Sequence, residues 1–404
     1  MKIFIAFTIL FLGACSPSIK TNRYKESNWY QYYSTNQLEI AEEKLSREIE
    51  KYPGDPTLLT YYAETLQRLR KFSQAREFAH KALSFDKCNS HALTILSAIH
   101  NTQYGENEYS NSDSSTYYMF KAVECDDFYG TAWEFIWIHS IIEGDSSLEK
   151  KAASQLYHYY SRPHIEFARW LLAHLPPNAI LITSGDLDTY PLVALQQAEN
   201  FRPDVVVVNS SLLNLRPYYK TKSEKVGIPV SEYSKQFTHT REKIISEQIL
   251  DIWLQMAQTG EMNRPLRFAV TTDRRHRPLN YECVGPYLIP LSHPSEFRFG
   301  NPERMWASLK DINPESIPGQ MVYEKLTSPI LLGPLKTIDF NTLYLHTAKR
   351  TIKEFAMAQN FTMAEEVLSW KRKLIDASTF RESLYEEHAH FFEVIESYIS
   401  EESK

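Results

Sequence analysis

Leu175-Pro176-Pro177-Asn178-Ala179-Ile180-Leu181-Ile182-Thr183-Ser184-Gly185-Asp186-Leu187-Asp188-Thr189-Tyr190-Pro191-Leu192 passes from a turn through a strand into a helix. Ala179 to Thr183 is a short apolar run bounded by turn residues, the pattern of a strand buried on both faces. Gly185 permits a tight turn, and the carboxylates of Asp186 and Asp188 can cap the free N–H groups of a helix running to about Asn200. Phe201-Arg202-Pro203-Asp204 then leads into a second buried strand, Val205 to Val208. Strand, helix and strand over about thirty residues form a βαβ unit with parallel strands. Working outward, His164 to His174 reads as a preceding helix. Arg241 to Gln258 reads as a long helix, followed by a third strand, Leu266 to Val270, and a fourth, Tyr287 to Leu291.

Upstream, the period changes. Ala41-Glu42-Glu43-Lys44-Leu45 and Ala75-Arg76-Glu77-Phe78-Ala79 lie 34 residues apart, and the turns Tyr52 to Pro56 and Asp86 to Ser90 repeat at the same offset. Each turn introduces a new helix, Thr57 to Leu69 and His91 to Asn101. A third copy at Ala122 to Trp133 is displaced by 40 from Ala82, with the polar tract Gly105 to Ser115 as an insertion. Helices at Thr131 to Ile142 and Ser147 to Tyr159 flank a turn at Gly144-Asp145. This stretch resembles tetratricopeptide repeats, whose helix pairs stack to bury faces they cannot bury alone and leave a concave surface suited to a peptide or partner helix. The alternative is a stack that only braces its neighbour. Asn341 to Ile375 reads as one more helical hairpin turning near Asn360, and Glu382 to Ile399 as a capping helix.

At the start of the chain, Lys2 precedes an apolar run, Ile3 to Leu12, about half as long as a membrane-spanning helix requires. Leu12-Gly13-Ala14-Cys15 resembles the lipobox of bacterial lipoproteins, which implies cleavage before Cys15 and lipid on its thiol. Ser16-Pro17-Ser18-Ile19-Lys20 carries no aspartate of the kind that retains lipoproteins in the inner membrane. The expectation is therefore an outer-membrane anchor facing the periplasm.

The α/β block resembles a second group of proteins. Residues 175–192, followed by Arg202-Pro203-Asp204-Val205 and Val208-Asn209-Ser210-Ser211-Leu212-Leu213-Asn214, look like the soluble C-terminal region of the protein O-mannosyl-transferase-like membrane proteins common in Bacteroidota. Leu266 to Thr271 and Tyr287 to Leu291 continue the likeness, which covers roughly Arg162 to Pro294 and departs at Leu187 and Tyr190. The resemblance implies the fold but not sugar transfer, because that family's chemistry is assigned to carboxylates beside membrane helices that this sequence does not contain.

The expected fold is α/β plus all-α. A leader spans 1–14, a lipidated linker 15–35, tetratricopeptide-like helical repeats 36–160, a βαβ parallel-sheet domain 162–300, an irregular connector 301–340, and a C-terminal helical hairpin with its cap 341–404. With 404 residues, 43% of them hydrophobic, the chain can bury more than one core, and a mixed formal charge of -6 gives no reason to expect nucleic acid as a partner. After Cys15, the cysteines at 88, 125 and 283 are odd in number and form no C-x-x-C pair, so buried thiols are expected rather than zinc ligands or bridges.

Ligands of open parallel sheets bind beyond the carboxyl ends of the strands, here Ser184 to Thr189, Asn209 to Ser211 and Thr271 to Arg274. Asp186 and Asp188 are candidates to hold a sugar hydroxyl or a divalent metal, with Thr189, Asn209 and Ser210 beside them and Arg274 for an anionic group. Against this stand helix capping for the aspartates and a solvated loop for Arg274-Arg275-His276-Arg277. No cofactor or metal is assigned: G-x-G-x-x-G, G-x-S-x-G and H-E-x-x-H are all absent, and Glu386 and His390 form only a weak i,i+4 pair. Two functions follow. One is a non-enzymatic lipoprotein scaffold that binds an envelope protein through its repeats, in glycoprotein assembly or secretion. The alternative is a carbohydrate-active or nucleotide-sugar-binding enzyme using the Asp186/Asp188 cleft.

Overall fold

A computed structural model of the chain describes residues 28–34, 37–101, 107–127, 129–160, 162–228, 244–291, 298–299, 301–314, 340–377 and 381–402. The expected leader and Cys15 lie outside the described residues. Part of the expected linker is helical: α1 (Asn28–Ser34) buries Trp29 and Tyr33 against Tyr61, with Trp29 and Tyr61 ring centroids 5.1 Å apart. These aromatic side chains pack part of the expected linker against the first helical pair.

Helices then alternate in pairs. The first members are α2 (Leu38–Lys51), α4 (Phe72–Phe85), α6 (Ser112–Cys125) and α8 (Ser146–Tyr159), starting at 38, 72, 112 and 146, in steps of 34, 40 and 34. The second members are α3 (Pro56–Arg68), α5 (Ser90–His100), α7 (Gly130–Glu143) and α9 (Arg162–Ala173). Equivalent positions are buried, and the first set is small throughout: Ala41, Ala75 and Ser115, then Leu45, Ala79 and Met119. Small residues at these points let successive hairpins approach closely. The turns share their chemistry too. Asp55 caps α3 by accepting from Thr57 N and Leu58 N, Asn89 caps α5 by accepting from Ala92 N, and the Asn89 amide reaches back to Thr60 Oγ1 at 3.0 Å.

The cysteine expectation is corrected here. Cys88 and Cys125 form a disulfide, with Cα atoms 5.1 Å apart across 37 residues of chain. Stacking sets the end of α6 beside the turn after α4, which spacing along the sequence does not reveal. Cys283 is free and buried.

The sheet has six strands in the order β2-β1-β3-β5-β4-β6, formed by β1 (Ile180–Thr183), β2 (Val206–Asn209), β3 (Leu266–Ala269), β4 (Tyr281–Val284), β5 (Tyr287–Pro290) and β6 (Arg298–Phe299). β1 lies parallel to β2, Ile180 opposite Val206, and parallel to β3, Ile180 opposite Leu266. The expectation of an all-parallel sheet is corrected: β5 runs antiparallel to both β3 and β4, so the sheet is mixed. The cause is the two-residue connection Gly285-Pro286, which is too short for a parallel crossover; Gly285 takes φ 67° and packs so near Ser308 that a Cβ would meet Oγ at 2.5 Å.

Helix α10 (Tyr190–Glu199) links β1 to β2, and α11 (Arg216–Val226) and α12 (Ile245–Thr259) lie between β2 and β3. Arg202 fixes the entry to β1, donating to the carbonyls of Leu172, Leu175 and Pro176 and to the Asp204 carboxylate. The expected irregular connector begins instead with α13 (Pro302–Leu309), started by Asn301, whose side chain accepts from Glu303 N and Arg304 N, and by Pro302 at the first helical position. Helices α14 (Phe340–Met357) and α15 (Phe361–Ala377) form a hairpin followed by α16 (Arg381–Glu402). One apolar core runs from Leu93 through the sheet to Ile399. Among the described residues, no helix is long and apolar enough to cross a membrane.

Candidate functional site

The parallel strands β1, β2 and β3 end side by side, and their first turns meet. Ser184 sits at the centre: its hydroxyl lies 2.7 Å from Ser210 Oγ and accepts from Asp273 N at 2.9 Å, while Ser211 Oγ donates to its carbonyl. Asp188 is 4% exposed, and its carboxylate accepts from Gly185 N at 2.7 Å, Ser184 N at 3.3 Å and Thr271 Oγ1 at 2.5 Å. Burial pushes this carboxyl upward, with the Thr271 hydroxyl and the turn amides pulling against it. Thr189 shares a 2.7 Å hydrogen bond with Thr183 Oγ1 and accepts from the Asn209 amide. Asn209 Oδ1 in turn accepts from Ser211 N and Leu212 N.

Helix capping by the aspartates does not occur. Thr189 occupies the cap position of α10 without a side-chain cap bond, and it is the carbonyl of Asp186, not its carboxylate, that accepts from Thr189 N and Tyr190 N. The Asp188 carboxylate turns back towards the strand end, where the Ser184 and Gly185 amides and the Thr271 hydroxyl offer three donors. The structure therefore brings Asp188, Thr189, Asn209 and Ser210 together as one buried, mutually bonded bracket. Arg274 stands apart, exposed in a short turn of 3-10 helix, Arg274–His276, that Asp273 caps. Leu187, where the family resemblance departs, is a buried core residue.

Asp186 differs from the rest. Its carboxyl accepts no hydrogen bond from the described residues, and although part of the residue reaches the surface, burial first and the neighbouring Asp188 second push its pKa up to about 7. A carboxyl that feels its charge lies on the repeats. Glu134 of α7 is 1% exposed, hydrogen-bonded by Tyr160 Oη, and held well above the usual carboxylate range by burial and then by Asp186. Tyr160 also packs, tilted, against His164, ring centroids 5.3 Å apart, and burial lowers the His164 pKa to about 4. Sequence reasoning misses Glu134, because it sits in the aromatic run Trp133–Trp137 and reads as filler between core positions.

Chemically, Asp186 with its pKa near 7 can keep a proton close to neutral pH, as a general acid must, and Glu134 is shifted in the same direction. Among the described residues no three His, Cys, Asp or Glu side chains are grouped to hold a metal ion.

No curated protein matches the chain. Residues 164–283, under a third of its length, match a family model described as TMEM260-associated domain 2, which loosely fits a relationship of this α/β region to TMEM260 and O-mannosyltransferase-like proteins.

Proposed function

We propose that the chain is an envelope lipoprotein, anchored through lipid on Cys15 in the outer membrane, whose tetratricopeptide-like hairpins bind a protein partner in glycoprotein assembly or secretion. The observation that carries a non-enzymatic reading is the state of the candidate cleft. Asp188, Thr189, Asn209 and Ser210 are all under 5% exposed, and all spend their hydrogen bonds on one another and on the turns. Side chains so committed hold a fold together and have little left for a ligand.

Two further features support the reading. The Cys88–Cys125 disulfide suits an oxidising compartment outside the cytoplasm. On the repeats, the exposed large apolar residues Ile40, Tyr52, Phe85 and Tyr117 all lie on, or just after, the first helix of a pair, where aromatic and aliphatic anchors would meet a partner. The test is cross-linking in the native envelope, compared between the wild-type chain and the double variant Phe85→Ser/Tyr117→Ser, with mass spectrometry of the mature N-terminus. The expected result is an acylated Cys15 and a cross-linked partner lost in the double variant; an unmodified Cys15 overturns the anchor, and an unchanged cross-link pattern overturns the binding face.

Asp186 supports the second reading, a carbohydrate-active enzyme, because its carboxyl is unengaged and titrates near neutrality beside Glu134. Thermal stabilisation by sugars or sugar nucleotides, abolished in Asp186→Ala without unfolding, would select it over the scaffold.

A further inference from the structure

A cleft of about 600 Å³ opens where the last helical pair meets the sheet. Its walls are α8 on one side and α10, α11 and β2 on the other, with Trp137 of α7 among the lining residues. β2 is an edge strand, so its outer side faces this space and not another strand. The volume falls within the roughly 300–1,000 Å³ of small-molecule sites.

Lys222 also lines the cleft and is the unusual member. The residue is only 4% exposed, yet no described residue accepts a hydrogen bond from its ammonium or forms an ion pair with it. Its nitrogen lies over the Trp137 ring at 5.5 Å and the Tyr218 ring at 5.2 Å, contacts that favour a cation without neutralising it. The carboxylate on the same wall, Glu149, lies 3.7 Å from Lys225, and Lys150 adds an exposed cation beside them. Burial, and then Lys225, lower the Lys222 pKa to about 8, so the group still carries its charge at neutral pH.

Glu149 favours this charge from beyond ion-pair distance but is itself paired with Lys225, so the buried ammonium has no counter-ion in contact, and an anion arriving in the cleft would lower the cost of its burial. We propose that this cleft binds a small organic anion, a carboxylate or a phosphate ester, with the Lys222 ammonium as its counter-ion and Trp137 and Val207 against its carbon frame. The site draws on Lys222 and the β2 edge and uses no residue of the Asp186 and Asp188 bracket.

The full chain is titrated with benzoate, phenyl phosphate and the neutral analogue benzyl alcohol, by calorimetry and by thermal shift. Binding of at least one anion, with benzyl alcohol inert, is expected, and Lys222→Met should weaken it about tenfold or more. The two anions separate carboxylate from phosphate ligands. Should Lys222→Met not fold, acetylation of the wild-type chain replaces it: the bound anion should slow modification of Lys222 and leave exposed Lys220 unaffected. Absence of binding by both anions at millimolar concentration, equal binding of benzyl alcohol, or undiminished binding by folded Lys222→Met overturns the proposal, as does unprotected Lys222.

Discussion

Trp137 of α7 meets Tyr190, the first residue of α10, edge to face, with ring centroids 5.6 Å apart and planes at 87°. The contact joins the last helical pairs to the sheet region, and both residues belong to one core that continues to Ile399, whereas the first hairpins have smaller cores of their own. A shared core makes the two parts unfold together. Tyr190→Ala should therefore cost about 3–5 kcal/mol and still give one transition in denaturant, followed in parallel by fluorescence and far-UV dichroism. Two separated transitions would show that the repeats and the sheet are independent.

The Cys88–Cys125 disulfide closes a loop of 37 residues, which restricts the unfolded chain by about 2–4 kcal/mol. Cys88→Ser/Cys125→Ser, or reduction of the native chain, should lower stability by that amount. The free Cys283, buried at 2% exposure, should stay unreactive to thiol reagents until the chain unfolds. Equal stability of the reduced and oxidised forms would contradict this.

Asp188 brackets two strand ends, so its loss should be structural. Asp188→Ala leaves the Gly185 N–H and the Thr271 hydroxyl without their acceptor, at about 2–4 kcal/mol, whereas Thr271→Val removes one bond and should cost about 1 kcal/mol. Denaturation midpoints measure both. If Asp188→Ala were as stable as the native chain, the bracket would not be what holds the turns.

The helical periodicity was legible because it is written in small buried residues at fixed steps, Ala41 and Ala75 above all, and in cap residues such as Asp55 and Asn89. The strand Ile180–Thr183 and its parallel partner were equally open to reading, as apolar runs between turns. What failed depended on tertiary neighbours. β4 carries Glu282 and Cys283 and shows no apolar run, so its antiparallel pairing with β5 emerges only once Gly285-Pro286 is seen as a hairpin turn. The disulfide depends on how α4 and α6 stack. At the candidate site the helix-capping reading of the aspartates is not met, because the direction of the Asp188 carboxylate is set by donors from Ser184, Gly185 and Thr271.

Asp186 should make stability depend on pH with a definite sign. Its pKa rises from the ordinary aspartate value, 3.8, to about 7 in the folded chain, so between those limits the folded state holds a proton that the unfolded state has released. Stability must then fall as pH rises from about 4 to about 7, and Glu134, whose carboxyl is also raised, acts in the same direction. Asp186→Asn removes the ionisation and should match the native chain near pH 4. Above pH 7 it should exceed it by about 1–2 kcal/mol, allowing for the water that reaches this partly exposed residue. Denaturant melts of both proteins across that pH range decide the matter: parallel curves would mean that the carboxyl titrates normally, and with it would go the argument that Asp186 can retain a proton near neutral pH.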